Sequence, residues 1–248
     1  MKGRTVEVLD LRTVHDEVLL RQFHQQLYLP AFPRTQRERA SIWRELLWGS
    51  DPHVELHCVL AGFNLRSAQR REVIGGHLFE FYPTVRCGLL TYLVVERHHR
   101  RLGLGSFLLR LGLRALHRPC GRRRMVRAVF AEIEDPRKTA RGSRLIDPWR
   151  RVDFFCRAGA RILDVPYVQP ELSPGAGRAR DLMLLAIEPS HASHLPSNVV
   201  REFLRDYYLA LGVAAPSRDH DYLRMLRCLR RDTVRAHGSA WLLHNAHV

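Results

Sequence analysis

The stretch VVERHHRRLGLGSFLL, from Val94 to Leu109, constrains the fold of this chain more than any other. It continues an apolar segment, Cys87 to Glu96, that reads as a strand buried on both faces, and it ends in a run with helical spacing of apolar residues. Five basic or imidazole side chains and two glycines separate these parts. The first turn of such a helix directs unpaired N–H groups outward, and the helix dipole and the arginines favour an anion there. The stretch therefore predicts a phosphate-binding turn between a strand and a helix.

Strand-like and helix-like segments alternate through most of the chain. Seven segments read as strands, namely VEVLDL, HVELHCVLAGF, REVIGGHLFEFYP, CGLLTYLVVE, RMVRAVFAEIEDP, RILDVPYVQPEL and DLMLLAIEP. Four read as amphipathic helices, namely HDEVLLRQFHQQLY, RTQRERASIWRELLWG, the segment after the glycine turn, and PWRRVDFFCRAGA. The resulting order, β-α-α-β-β-β-α-β-α-β-β, predicts an α/β (α+β) fold.

The character of the sequence changes near His191. A Ser/His/Pro linker precedes two segments of helical period, NVVREFLRDYYLALG and DYLRMLRCLRRDTV. Their predicted apolar stripes are Val199, Phe203, Tyr207 and Leu211 in the first, and Leu223, Leu226 and Leu229 in the second. We predict two regions, residues 1–189 and a C-terminal helical extension at 190–248, which packs on the surface or forms a dimer contact.

The net charge of the chain indicates what kind of molecule it binds. The formal charge of +15 favours an anionic partner such as nucleic acid or a phosphorylated cofactor. Lysine occurs only at Lys2 and Lys138, so the charge is almost entirely arginine, and coding bias alone is an alternative explanation. No apolar stretch has the length of a membrane span or a signal peptide, which leads us to expect a cytoplasmic protein.

The cysteines and histidines do not form a metal-binding pattern. The five cysteines are scattered, contain no CxxC pair and read as reduced thiols. The sequence HASH, from His191 to His194, lacks a third ligand in register. We therefore expect neither a disulfide framework nor a bound metal.

The motif around the glycine turn resembles the pyrophosphate-binding signature of the GNAT superfamily of acyl-CoA N-acyltransferases, Q/R-x-x-G-x-G/A. Arg100, Gly103 and Gly105 occupy its three defining positions. The later segment DFFCRAGARILDVPYVQPEL is similar to the family's helix with an aromatic pair that leads through a glycine into a strand. The resemblance spans about Glu7 to Glu188 and implies a mixed, mostly antiparallel central sheet flanked by helices.

The resemblance also implies a coenzyme A site. Backbone amides of the turn would bind the pyrophosphate, with the glycines allowing close approach. The exposed backbone of the preceding strand would pair with the pantetheine arm. The implied cofactor-binding residues are Leu93, Val94, Val95, Arg100, Arg101, Leu102, Gly103, Leu104, Gly105 and Ser106.

Direct acyl transfer to an amine needs a base, a polarised carbonyl and a proton for the leaving thiolate. The Val95 amide resembles the family's carbonyl-polarising donor. Glu80 is the predicted base, acting through water, and a solvated strand-end carboxylate is the alternative. Many family members use a tyrosine acid at the position that Phe155 occupies here. Cys156, Tyr92, Tyr167 and protonation by solvent remain as sources of the proton. Cys156 as a covalent nucleophile is a further alternative, but it has no evident histidine partner in the sequence and a buried thiol is the simpler interpretation.

Three further residues are predicted on the acceptor side. Glu132 and Glu134 are two apart on one strand and so share a face, where they would attract a cationic amine or neutralise neighbouring arginines. Tyr167, in the later segment RILDVPYVQPEL, is the third predicted acceptor-binding residue. The variable segment LYLPAFPRTQRER is where acceptor specificity is expected.

The leading hypothesis is an enzyme that transfers an acetyl group from acetyl-CoA to a primary amine. The alternative is a catalytically weakened acyl-CoA sensor or nucleic-acid-binding module, and a third version takes an aminoacyl-RNA as substrate. Expected partners are acetyl-CoA and an amine acceptor, with nucleic acid and a second copy of the chain as further candidates and no membrane.

Overall fold

The computed structural model describes residues 4–67, 69–117, 125–138, 147–187 and 193–244. The chain forms two compact units. Unit 1 comprises Met1–Phe81 and Leu89–Met125, and unit 2 comprises Tyr82–Gly88 and Val126–Val248. The predicted boundary near residue 189 lies outside the described residues, and the division into a catalytic and an appended region stays a prediction.

Unit 1 contains the first four α-helices and the first four strands, apart from Tyr82 at the end of the third strand and Cys87–Gly88 at the start of the fourth. In chain order these are β1 (Glu7–Asp10), α1 (Glu17–Gln22), a π-helix (Phe23–Tyr28), α2 (Leu29–Ala31), a 3-10 helix (Arg34–Gln36), α3 (Ala40–Trp48), β2 (Glu55–Phe63), β3 (Glu72–Tyr82), β4 (Cys87–Val95), a second 3-10 helix (Arg97–His99) and α4 (Leu104–Leu116). The strands lie side by side in sequence order, and β1–β2 and β2–β3 are antiparallel.

The core of unit 1 lies between this sheet and the helices α1 and α3. Leu56, Cys58, Leu60, Leu78, Tyr92 and Val94 project from the strands against Leu19, Phe23, Tyr28, Trp43 and Leu47 of the helical segment. Gly76 permits the contact, because a Cβ there would lie 2.5 Å from Phe23 Cε2. The predicted first helix thus forms, but with a π-helical turn that periodicity did not indicate.

Unit 2 contains the remaining strands and helices. In chain order these are β5 (Ala128–Glu134), α5 (Pro148–Arg157), β6 (Ala160–Leu163), β7 (Leu182–Ile187), β8 (His194–Pro196), α6 (Ser197–Ala210), a 3-10 helix (Pro216–Arg218), α7 (His220–Cys228), β9 (Thr233–His237) and α8 (Ala240–His244). The strand order is β5-β7-β6-β9-β8, with every neighbouring pair antiparallel. The α/β class and the mostly antiparallel pairing confirm the predicted fold.

The C-terminal segment differs from the helical extension that we predicted. Helix α7 ends at Cys228, and the residues that follow form β9, which pairs with β6 and β8. Val234 and Ala236 are buried and alternate with exposed Thr233 and Arg235, which is the period of a strand. The predicted stripe of α7 is also wrong in part, because the buried residues are Tyr222, Met225 and Leu229, whereas Leu223 is 38% exposed. The predicted stripe of α6 is correct for Val199, Phe203 and Tyr207, all buried.

The predicted strand over residues 161–172 is shorter than expected. Strand β6 ends at Leu163, and Pro166 and Pro170 follow it. Proline has no backbone N–H to contribute to a sheet, which explains the early end. Among the described helices, none combines the length and hydropathy that crossing a bilayer requires.

Candidate active site

Strand β4 presents two different faces. Tyr92 and Val94 are buried in the core of unit 1, whereas Leu93 and Val95 are half-buried on the opposite face. At the end of the strand, the Glu96 N–H donates to the Ile74 carbonyl oxygen at 2.8 Å. Arg100 Nε donates to the Val95 carbonyl oxygen at 2.9 Å. The side chain of Arg100 therefore fixes the backbone that leads from the strand into the turn.

Glu96 organises the basic turn after β4. Its carboxylate Oε2 accepts from the His98 N–H at 2.9 Å and lies 2.8 Å from His99 Nδ1. Burial raises the pKa of Glu96, but the hydrogen bonds from His99 and His98, together with the charges of these two residues, outweigh it and leave this pKa below its ordinary value. Arg97 and His98 are exposed beside this carboxylate. One acid thus orders a row of basic residues that the sequence alone shows only as charge.

The glycine turn is open and conformationally unusual. Arg101 and Gly103 both have left-handed backbone, with φ of 66° and 82°. A Cβ on Gly103 would meet no atom of the described residues within 4 Å, so none of them fills the space directly in front of it. The first hydrogen bond inside α4 runs from the Phe107 N–H to the Gly103 carbonyl oxygen at 2.9 Å. The N–H groups that precede it, from Leu104 to Ser106, therefore have no acceptor within the helix, and such N–H groups favour an anion.

His77 positions helix α4 against the sheet. Its ring is buried, and its Nδ1–H donates to the Leu108 carbonyl oxygen at 3.1 Å. Gly112 admits the ring, because a Cβ there would lie 2.5 Å from His77 Cε1. Burial lowers the pKa of His77 to about 4, against a smaller opposite effect of the Leu108 carbonyl. Within the described residues His77 Nε2 has no hydrogen-bond partner, which fits a neutral ring.

We expect the free energy of unfolding to decrease as the pH falls from 6.5, the ordinary pKa of histidine, towards the value of about 4 in the folded protein. In that window the unfolded chain binds a proton at residue 77 and the folded chain does not. Each unit by which the pH falls therefore lowers the free energy of unfolding by about 1.4 kcal/mol. Above it both states are neutral and residue 77 contributes no pH dependence.

Urea unfolding at several pH values measures this effect. The control variant His77→Gln keeps an N–H donor for Leu108 and does not titrate. Its stability should change less steeply between pH 6.5 and 5 than that of the wild type. Equal slopes in the two proteins would show that the ring does not stay neutral.

A buried polar cluster surrounds Tyr92 in unit 1. The hydroxyls of Tyr92 and Tyr28 both donate to the Gln36 carbonyl oxygen, at 3.1 and 3.2 Å. Trp43 Nε1–H donates to Glu38 Oε2 at 2.7 Å, and the Glu38 N–H donates to the Tyr28 hydroxyl at 2.7 Å. Burial raises the pKa of the Glu38 carboxyl. Gln36 and Glu38 come from the segment expected to set acceptor specificity.

Glu38 is not singled out from the sequence, because RTQRERASIWRELLWG predicts one amphipathic helix, whereas α3 begins only at Ala40. The available signal was Trp43, five residues on, whose indole N–H needs an acceptor once it is buried.

Glu80 lies near the end of β3, opposite Leu56 of β2. It is only 7% exposed, so the alternative of a solvated strand-end carboxylate is wrong. With a period of two along β3 it shares the face of Leu78, which lies in the core beside Tyr92. The three predicted catalytic residues, Glu80, Tyr92 and Val95, therefore all belong to unit 1, together with the glycine turn.

The predicted acceptor-side residues lie in unit 2. Glu132 accepts hydrogen bonds from the hydroxyl of Tyr167, from Gln169 Nε2 at 2.9 Å and from the Tyr207 hydroxyl at 2.9 Å. Burial and then the nearby Glu132 charge raise the pKa of Tyr167 well above its ordinary value. The structure thus brings Glu132 and Tyr167 together and adds Tyr207, which the sequence indicated only as packing.

Glu134 has a different environment. It is buried and forms an ion pair with Arg151 of α5, which is the neutralising role named as the alternative.

On helix α5, Phe155 is buried and Cys156 is half-buried, and the pKa of Cys156 is raised by burial and then by Asp153. A neutral thiol is a poor nucleophile, so Cys156 fits the buried-thiol interpretation. Across the described ranges, no three His, Cys, Asp or Glu side chains are grouped to hold a metal ion.

In unit 1, an open glycine turn thus connects strand β4 to helix α4. Scans against protein-family models and curated proteins find no match. Solved structures do match. A structure described as a GNAT-family acetyltransferase from Bacteroides thetaiotaomicron aligns with a TM-score of 0.54 at 16% identity, covering 82% of this chain and 95% of its own. Another, described as a GNAT-family acetyltransferase from Desulfovibrio desulfuricans, has a TM-score of 0.45 at 22% identity, covering 74% and 99%. The chain has the GNAT acyltransferase fold, as the resemblance in sequence implied.

Proposed function

We propose that this protein is an acyl-CoA-dependent N-acyltransferase that moves an acetyl group from acetyl-CoA to a primary amine by direct transfer. The observation that carries the proposal is the open left-handed turn at Gly103, at the start of α4 and after the buried strand β4. Arg100, Gly103 and Gly105 match the pyrophosphate-binding signature there, within a GNAT fold.

The turn suits a diphosphate for three reasons. The amides from Arg101 to Ser106 lead into and begin α4, a helix of 13 residues that starts at Leu104 and whose dipole favours an anion at this end. The exposed side chains of Arg97 and Arg101 add positive charge. The free space in front of Gly103 allows close approach of a phosphate. Leu93, Val94 and Val95 would follow the pantetheine arm, with the half-exposed face of β4 towards it.

The chemistry we propose uses residues of unit 1. The Val95 N–H polarises the thioester carbonyl, and the amine nitrogen attacks its carbon, so that a C–N bond forms as the C–S bond breaks. Glu80 takes the proton of the amine through water. Tyr92, which also belongs to unit 1, protonates the leaving thiolate, and its hydroxyl donates to the Gln36 carbonyl oxygen at 3.1 Å. Solvent is the remaining source of this proton.

We propose that the acceptor is a primary amine that is cationic in solution and is attracted by the carboxylate of Glu132. This carboxylate accepts hydrogen bonds from the hydroxyls of Tyr167 and Tyr207 and from the side-chain amide of Gln169, all of which are neutral donors. Tyr167, bonded to Glu132, would contact the same group. Glu134 is the weaker candidate, because Arg151 already neutralises it.

The substitution Glu80→Gln should lower kcat at neutral pH by about 100-fold, the lower end of what a general base contributes, and leave the KM for acetyl-CoA nearly unchanged. The shape of the side chain is kept while its basicity is lost. The matched control is Glu72→Gln on the same strand, where the side chain is 46% exposed and pairs with Arg4 at the surface. An unchanged pH–rate profile in Glu80→Gln would move the base to Glu132 or Glu134, or to none.

A second function is favoured by two observations, the phenylalanine at residue 155 and the formal charge of +15. In this version the fold binds acyl-CoA or nucleic acid without turnover. Release of free thiol from acetyl-CoA on a panel of primary amines, compared with gel-shift binding at several salt concentrations, separates the two. Thiol release that depends on an amine supports the enzyme, and salt-sensitive binding without thiol release supports the alternative.

A further inference from the structure

Unit 2 contains a cavity that includes no residue proposed above for coenzyme A and shares only Tyr167 with the residues proposed for the acceptor. Its volume is about 480 Å³, and it lies where β6 ends and β7 begins. Its floor is apolar, formed by the buried side chains of Ile162, Leu163, Leu182 and Met183. Pockets that bind small organic molecules have volumes of roughly 300–1,000 Å³ and mostly apolar walls. The cavity therefore has the size and the floor of a small-molecule site.

The rim of the cavity has an excess of positive charge. Arg137, Lys138, Arg224 and Arg227 line it against Asp135 and Asp164. Asp135 is buried and is neutralised by Arg137, whose Nε and Nη2 donate to its two oxygens at 2.9 and 2.8 Å. Lys138 also pairs with Asp135, at 3.8 Å. This leaves two cations on the rim, Arg224 and Arg227, and one exposed carboxylate, that of Asp164.

Arg224 and Arg227 have the geometry of a pair. They are three residues apart on α7, so their side chains leave the same face of the helix. Within the part of the chain that the structure describes, neither forms an ion pair or a hydrogen bond through its guanidinium. Other arginines of unit 2 do, such as Arg178, which binds Asp219 and Asp221. A planar guanidinium pair with free donors suits a carboxylate or phosphate.

An aromatic wall adjoins the charged rim. Trp241 lines the cavity and is stacked on His237, with ring centroids 4.5 Å apart and planes 8° apart. Arg137 lies over the same indole at 5.2 Å. The stack and the cation hold the Trp241 ring in one orientation, which gives the cavity a flat apolar side in addition to its floor.

We propose that this cavity binds a small organic anion, whose apolar or aromatic body rests on the floor and against Trp241 and whose carboxylate or phosphate group is held by Arg224 and Arg227. The apolar floor excludes a bare inorganic anion as the best ligand, and the free arginines exclude a neutral apolar molecule. Both parts of the ligand are needed for binding.

The test uses the fluorescent aromatic sulfonate 8-anilinonaphthalene-1-sulfonate as a probe on the full chain. The wild type should bind it saturably at one site, and 1-naphthoate should displace it at far lower concentration than inorganic phosphate does. The double variant Arg224→Gln/Arg227→Gln should weaken binding about tenfold or more, equivalent to ~1.4 kcal/mol. The control Arg230→Gln/Arg231→Gln removes the same charge from exposed arginines that do not line the cavity, and it should bind as the wild type does.

Cys228 provides a second readout, because its exposed thiol lines the cavity. Saturating 1-naphthoate should slow its alkylation by iodoacetamide in the wild type, as followed by peptide mass spectrometry. The proposal is overturned if both double variants bind the probe equally. It is also overturned if phosphate displaces the probe as well as 1-naphthoate does, or if the ligand leaves Cys228 unprotected. None of these outcomes depends on acyl transfer.

Discussion

Replacing Gly103 with tryptophan should abolish the rise in melting temperature that acetyl-CoA gives the wild-type protein. A ligand that binds only the folded state at a hundred times its Kd stabilises it by about 2.7 kcal/mol. For a chain of this size this corresponds to a rise of roughly 5–10 °C. The indole would occupy the space in front of the turn, where the diphosphate must approach. A double variant that also carries a bulky residue in place of Gly105 should show no rise in melting temperature with acetyl-CoA.

The matched control for this experiment is Gly175→Trp. Gly175 has a φ of 75°, close to the 82° of Gly103, and a Cβ there also meets nothing within 4 Å. Both substitutions therefore impose similar backbone strain at an open position. Only the Gly103 variant should lose the shift with acetyl-CoA. Normal binding by Gly103→Trp would show that the pyrophosphate does not bind at this turn.

The second large effect concerns α6, the first helix of the C-terminal segment. Phe203 is fully buried, stacked on Phe130 of β5 at 4.2 Å and in edge contact with Tyr82 at 5.6 Å. Phe203→Ala should lower the free energy of unfolding by about 3–5 kcal/mol, the cost of a large cavity in a packed core. Leu209→Ala on the same helix, 41% exposed, is the control and should change stability by less than about 0.5 kcal/mol. Denaturant unfolding measures both, and equal losses would mean that α6 is not part of the core.

Truncation after Pro189 extends the same argument, although Pro189 itself lies outside the described residues. The shortened chain loses Phe203 and β9, whose pairing covers the edge of β6 at Ile162 and Leu163. An uncovered strand edge and exposed apolar surface favour association between chains. We expect light scattering to show aggregation or a changed oligomeric state. A well-behaved truncated protein of unchanged oligomeric state would show that the tail is dispensable.

The strand, turn and helix around Gly103 could be predicted from sequence because their signals are local. An apolar run fixes β4, glycines fix the left-handed turn, and apolar spacing fixes α4. The strand β9 was open to the same reasoning, since Val234 and Ala236 alternate with polar residues. The predicted helical segment DYLRMLRCLRRDTV instead runs to Val234 and so includes the first two residues of this strand.

The polar clusters could not be predicted in this way. Glu38 is near Tyr92 because α3 packs on the sheet, and Glu132 meets Tyr207 across 75 residues of sequence. Such contacts depend on how distant segments pack, which local periodicity does not contain. The same holds for the cavity beside Arg224 and Arg227, whose floor comes from β6 and β7.

Transfer of isotope from acetyl-CoA labelled in its acetyl group tests the central claim most directly. The full-length protein is incubated with labelled acetyl-CoA and a panel of primary amines, and the products are analysed by mass spectrometry. We predict labelled N-acetyl product from at least one amine with the wild type and with Gly175→Trp, and none with Gly103→Trp. Equal product with Gly103→Trp, or no labelled product above the reaction without protein while acetyl-CoA is bound, would contradict the assignment of this chain as an N-acyltransferase that uses the Gly103 turn.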